Sequence, residues 1–208
     1  DPEFAGAARA FLAPTFLDHG QLARAREVAE TAYAPFAEVL DVATAPASIN
    51  RGASRLGYVL QAQGDYARST ALFGRARAAA EAVGGAAAPD VLAMRRLIAV
   101  NEAWQGRREA AIAELRRVVE ADRSPSGRLA TQAQLGRLAL ARVLLDAGRP
   151  DEAGIEIDSV AAALAALPAS TQAFQAPFLA QLESLRGERA LRRGDAGEAV
   201  ARFGAAVE

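Results

Sequence analysis

Five glycines divide this chain at near-constant intervals, and nothing else in it constrains the fold so strongly. They lie in "LDHGQLARA", "QAQGDYARS", "AWQGRREAA", "LDAGRPDEA" and "LRRGDAGEA", as Gly20, Gly64, Gly106, Gly148 and Gly194. Their separations are 44, 42, 42 and 46 residues by subtraction. Around each, an apolar-periodic run ends, Gly follows, and a second periodic run opens with a polar or charged residue. Glycine reaches the left-handed conformation that ends a helix cheaply, so each event predicts a helical hairpin. Recurrence at a fixed period predicts that the hairpins stack.

The residues after each turn carry the same reading. Five positions on stands a small side chain, Ala25, Ser69, Ala111, Ala153 or Ala199, which lets two helices cross closely. Nine positions on stands an apolar one, Ala29, Phe73, Leu115, Ile157 or Phe203. Hydrophobic residues make up 51% of the chain but aromatics only 6%, with Ala prominent, which suits packed helices better than sheets. Helix pairs are expected at 5–19 with 21–40, 48–63 with 65–83, 90–105 with 107–122, 128–147 with 150–166, and 171–193 with 195–207. Breaker-rich linkers separate them, with Asp90 and Ser170 as expected N-caps.

The stretch Leu56, Gly57, Gly64, Asp65, Tyr66, Phe73, Ala76 resembles a tetratricopeptide repeat. Gly187, Gly194, Asp195, Ala199, Phe203 and Ala206 repeat the pattern. The units turning at Gly106 and Gly148 keep the turn but carry Ala99 and Ala141 where the family has Gly. The resemblance implies an all-α, right-handed superhelical solenoid of about five stacked antiparallel helix pairs. Asp1–Phe4 ("DPEF") reads as an expression-vector remnant, and residues 5–208 as one repeat domain. Its approximate units are 5–42, 48–84, 90–122, 128–166 and 171–208, longer than the family's usual 34 residues.

Chemistry is scarce in this sequence. Cys is absent and His19 is the sole histidine, so neither a His/Cys metal site nor a two-histidine relay can be assembled. Beside Gly20, His19 is expected to finish the preceding helix, where an imidazolium suits the negative dipole end. Asp151-Glu152 is expected to open a helix for the complementary reason. "VGGAAAP" lacks the Lys-Ser or Lys-Thr of a phosphate loop. No catalytic residue, cofactor or metal is therefore expected, and the chain does not read as an enzyme.

Charge is balanced, 24 basic against 25 acidic residues, and every base is Arg. No global field draws in nucleic acid or an anionic membrane, and no apolar run reaches the roughly 18 residues of a span. The Arg pairs 95–96, 107–108, 116–117 and 192–193 are expected on solvated helix surface, two of them interleaved with Glu109, Glu114 and Glu120. The lack of Cys fits a reducing cytoplasm.

In the family that this chain resembles, the first helix of each pair lines a concave wall that holds peptides or partner segments. Counting back from each turn Gly, the resemblance places Arg51, Ser54, Tyr58 and Gln61, then Arg96, Val100 and Trp104, then Leu138, Arg142 and Leu145 on that wall. Arg51, Arg96 and Arg142 offer forked donors to a carboxylate or phosphate, while Tyr58 and Trp104 offer aromatic anchors. The expected partner-binding set is Arg51, Tyr58, Gln61, Arg96, Trp104 and Arg142. The expected role is non-catalytic protein–protein interaction. The alternative is a sensor, regulatory or oligomerisation part of a larger bacterial transcription regulator or protein kinase, with homo-oligomers formed through an uncapped last helix.

Overall fold

The structure is a computed structural model, and it describes residues 12–122, 131–167 and 172–207. Ten α-helices and one π-helical turn occur among them, with no strand. The chain divides into two compact units, one running to Gly106 and the other starting at Arg107.

The first unit holds α1 (Leu12–Asp18), α2 (Leu22–Ala34), the π-turn Pro35–Val39, α3 (Pro46–Ala62), α4 (Tyr66–Gly84) and α5 (Pro89–Trp104). Each helix packs on the next, and α1 also meets α3. Gly20 and Gly64 take φ of +69° and +79°, the left-handed turns that the sequence predicts. Asp65 then caps α4, its carboxylate accepting from the Arg68 amide at 3.3 Å. Ile49, Leu56, Leu60 and Phe73 are fully buried, and each such side chain contributes about 1.5–3 kcal/mol through loss of apolar surface. The Ser69 hydroxyl lies at the small-residue position and donates to the Gly57 carbonyl at 2.9 Å, pinning α4 against α3.

Two local expectations fail here. The sequence predicts an unbroken helix over 21–40, but the α-helix ends at Ala34 and a π-turn follows. Pro35 has no amide hydrogen for the preceding turn, so the regular hydrogen-bond ladder opens at that point. Asp90 does not cap α5 either: Ala88 occupies the cap and Pro89 the first turn. Pro is favoured at that site because the amide it lacks has no helical partner there. Asp90 accepts instead from Asn50 Nδ2 at 3.0 Å. Ser170 lies outside the described residues.

The second unit holds α6 (Arg108–Ala121), α7 (Thr131–Asp146), α8 (Pro150–Ala165), α9 (Gln172–Arg192) and α10 (Ala196–Ala205). Consecutive helices again pack together, and the first helices α7 and α9 meet directly. Gly148 and Gly194 turn at φ +74° and +82°. Asp195 caps α10 through the Glu198 amide at 2.9 Å, and Asp151 and Glu152 occupy the first turn of α8 as expected. Leu115, Leu138, Leu144, Leu145, Ile157 and Leu185 form the core. The small residues after the turns, Ala111, Ala153 and Ala199, are buried.

Candidate functional site

In the first unit, the first helices α3 and α5 meet through three side-chain pairs, Asn50–Asp90, Tyr58–Arg96 and Gln61–Asn101. The Arg96 guanidinium, on α5, lies against the Tyr58 hydroxyl, on α3. Burial pushes the Arg96 guanidinium below its ordinary value, and the neighbouring tyrosine offsets part of that shift. Its Nε is buried with no hydrogen bond, and among the described residues no carboxylate pairs with it. Arg96 therefore departs from the solvated surface expected of the Arg pairs. Tyr58 itself stays 38% exposed while its ring edge meets the buried Phe73 ring, with centroids 5.4 Å apart.

Beside Tyr58 a cavity of about 320 Å³ opens between α1 and α3, lined by Pro14, Leu17, Asp18, Tyr33, Arg55 and Tyr58. Arg55 was not among the residues expected on this face. Burial pushes the Tyr33 hydroxyl up, and the Arg55 charge pulls partly the other way. Arg51, one turn earlier on α3, is exposed and borders a second opening of about 580 Å³ with Ser54, Arg55 and Val83.

The other expected residues are engaged elsewhere. Gln61 Nε2 donates to Asn101 Oδ1 at 2.7 Å. Asn101, fully buried, donates in turn to Ser69 Oγ at 2.9 Å and Thr70 Oγ1 at 3.2 Å. The network joins α3, α4 and α5 and leaves Asn101 well satisfied. Trp104 is 44% exposed and lies against Tyr66 at the turn end of α4, ring centroids 5.0 Å apart. In the second unit Arg142 is ion-paired with Glu188, linking α7 to α9. Leu138 and Leu145 are fully buried core. Tyr58 and Arg96 thus come together, with Arg51 along the same helix as Tyr58, while Gln61, Trp104 and Arg142 each hold one hairpin to another.

Most other charge is used structurally as well. Arg68 binds Glu30 at 2.9 Å and Glu38 at 2.8 Å, and Arg116 binds Glu152 at 3.0 Å. His19 donates through Nδ1 to the Thr15 carbonyl at 2.8 Å, finishing α1 as expected. Among the described residues, no three potential metal-ligating side chains cluster, and no helix is long and apolar enough to cross a membrane.

Stacked helical hairpins with a mixed aromatic and cationic face define a helical-repeat scaffold, a class that serves protein–protein interaction. Residues 48–124 carry tetratricopeptide repeats, for the family model of that repeat matches them. No curated protein sequence matches the chain. Among solved structures, the fold resembles the TPR-like repeats of a Podosopora anserina protein assigned as a kinesin light chain. It matches at 20% identity and a TM-score of 0.64, over 100% of this chain and 96% of the other. A singly substituted variant of that protein matches at 18% and 0.66, covering 100% and 95%. BtubC (BKLC) from P. vanneervenii matches at 16% and 0.68, covering 100% and 81%. These likenesses establish the fold, a TPR-like solenoid.

Proposed function

We propose that the chain is a non-catalytic interaction module that takes a peptide or partner segment on the face carrying Tyr58 and Arg96. One observation carries this reading: an exposed tyrosine beside a cavity holds a half-buried arginine that has no counter-charge among the described residues. An apolar side chain of the partner would enter the cavity beside Tyr58. A carboxylate would replace the phenol oxygen on Arg96, and Arg51 and Arg55 would steer it there.

Selection from a random peptide library tests this. The wild-type chain should enrich peptides with an apolar anchor next to Asp or Glu. Tyr58→Ala should weaken the selected peptides by about tenfold or more. Arg96→Gln should abolish the preference for the acid and keep that for the anchor. Peptides that bind both variants as well as wild type would overturn the reading.

A different set of residues favours a second role, as an oligomerisation or regulatory part of a larger cytoplasmic protein. Leu191, Val200 and Val207, at the α9–α10 end, are 53%, 74% and 85% exposed. A second copy or another domain covering them would remove that apolar surface from water. Sedimentation velocity should then show a dimer that Val200→Glu dissociates; a monomer at all concentrations would rule out self-association.

A further inference from the structure

The hairpins share a register that exposes one anomalous residue. Five positions before the turn glycine, the first helix carries the exposed Thr15 in the first hairpin, then Val59, Asn101 and Val143, all buried, and in the last hairpin Arg189. Six positions after the preceding turn glycine stands the residue it faces. Thr70 faces Asn101, and Gly154 faces Arg189. A Cβ on Gly154 would lie 2.5 Å from the Arg189 guanidinium carbon, so a larger residue there would force the guanidinium to shift. Its Nε donates to the Pro150 carbonyl at 3.2 Å, which fixes the plane of the fork. Among the described residues no carboxylate pairs with it.

A cavity of about 430 Å³, within the range of small-ligand pockets, opens before this guanidinium between α8, α9 and α10. Arg186, Arg193 and Arg202 also line it, with Asp158, Asp195 and Glu198 as the acids. Most of these charges are committed. Arg186 and Arg202 share Glu183 at 2.6 and 3.2 Å, and Arg202 also meets Glu198 at 3.5 Å. Asp195 caps α10. Among the described residues Arg193 reaches only the exposed Asp151, at 4.0 Å.

The cavity stays open for a reason legible in the register. Four positions after a turn glycine, Arg68 and Glu152 bridge to the residues ten positions after the preceding turn glycine, Glu30 and Arg116. In the last hairpin the same two positions are Glu198 and Asp158, both acids, and no bridge can form.

We propose that this cavity binds the carboxylate of a small organic acid, with Arg189 as its bidentate donor and Arg193 as a second cation. A planar, pre-set guanidinium fork matches the two oxygens of a carboxylate. The nearby Asp158 and Glu198 oppose a second negative charge, so a phosphate dianion fits less well than a monoanion.

Titration calorimetry of the whole chain with acetate tests the assignment, using chloride at matched ionic strength as reference and inorganic phosphate as competitor. Saturable acetate binding with a dissociation constant on the order of 1 mM is expected, with phosphate weaker. Arg189→Lys keeps the charge but loses the fork, and should weaken acetate about tenfold. Gly154→Ala keeps the arginine but unseats it, and should do the same, so the site remains testable if Arg189→Lys does not fold. Asp158→Asn should tighten binding about twofold. The proposal is overturned if wild type shows no saturable acetate binding, if phosphate binds more tightly, or if Gly154→Ala binds as wild type does.

Discussion

The joint between α4 and α5 and the joint between α8 and α9 use equivalent positions to opposite ends. In the first, Asn101 is fully buried and bonded to Gln61, Ser69 and Thr70. In the second, Arg189 sits over Gly154 with one carbonyl as its only hydrogen-bond partner among the described residues, beside an open cavity. A repeat register therefore specifies where helices meet without specifying whether the meeting is closed. A satisfied polar network makes one joint rigid, and a cation in the same place leaves the other joint able to take a ligand.

The largest expected effect breaks the closed joint. Asn101→Ala removes three side-chain hydrogen bonds and leaves a void, and should cost about 3 kcal/mol. Arg189→Met, which replaces an unpaired guanidinium with an apolar chain of similar length, should lie within about 1 kcal/mol of wild type. Urea denaturation checks both. Trp104, the single tryptophan, reports on the first unit, and far-ultraviolet circular dichroism on the whole chain. Equal losses in the two variants would show that both joints are structural.

A second pair compares how two hairpins lock. Gly57 and Gly187 occupy the same register, each beneath a phenylalanine ring. A Cβ on Gly57 would lie 2.7 Å from Phe73 Cε1, and one on Gly187 2.9 Å from Phe203 Cδ1. Phe73 is fully buried and cannot move without displacing core, whereas Phe203 is 38% exposed and can swing outward. Gly57→Ala should therefore cost about 2 kcal/mol and Gly187→Ala less than about 1 kcal/mol, measured by thermal unfolding.

Features that depend on local spacing were legible before any coordinates. The turn glycines, the small residues buried five positions later and most helix ends follow from backbone conformation and close helix crossing. Partners distant in sequence were not legible. Nothing near Arg142 announces Glu188, and counting back from a turn does not reveal that Trp104 rests on Tyr66. Arg55 was missed because the helical count chose Ser54 beside it. Arg189 was missed because each hairpin was read alone; aligning Thr15, Val59, Asn101, Val143 and Arg189 isolates the one cation in the column.

A smaller effect should close the open joint. Asp158→Arg restores the opposite-charge pairing that Arg68–Glu30 and Arg116–Glu152 make elsewhere, placing a guanidinium within reach of Glu198. Exposed pairs of this kind contribute about 0.2–1 kcal/mol. A rise in the thermal midpoint of about 1–3 °C is expected, and it should vanish in high salt. An equal rise in Asp158→Asn would mean that removing Asp158 alone relieves the repulsion and that no bridge forms.

The smallest effect compares the two bridges by pH. Burial raises the Glu30 carboxyl, but hydrogen bonds and charge from Arg68 and Arg26 outweigh it and hold the group below its ordinary value. Glu152 is lowered chiefly by its hydrogen bond to Arg149, against desolvation and with the charges of Arg149 and Arg116 assisting. A carboxyl depressed in the folded state binds fewer protons there than in the unfolded chain. Its stabilisation is thus complete above the ordinary glutamate value of about 4.3 and is lost as pH falls through the lowered folded value. Glu30→Gln should flatten that acid limb in the Trp104 signal, whereas Glu152→Gln should leave it unchanged. If Glu152→Gln flattens the Trp104 signal equally, acid unfolding is one event for the whole chain, and the bridges do not act unit by unit.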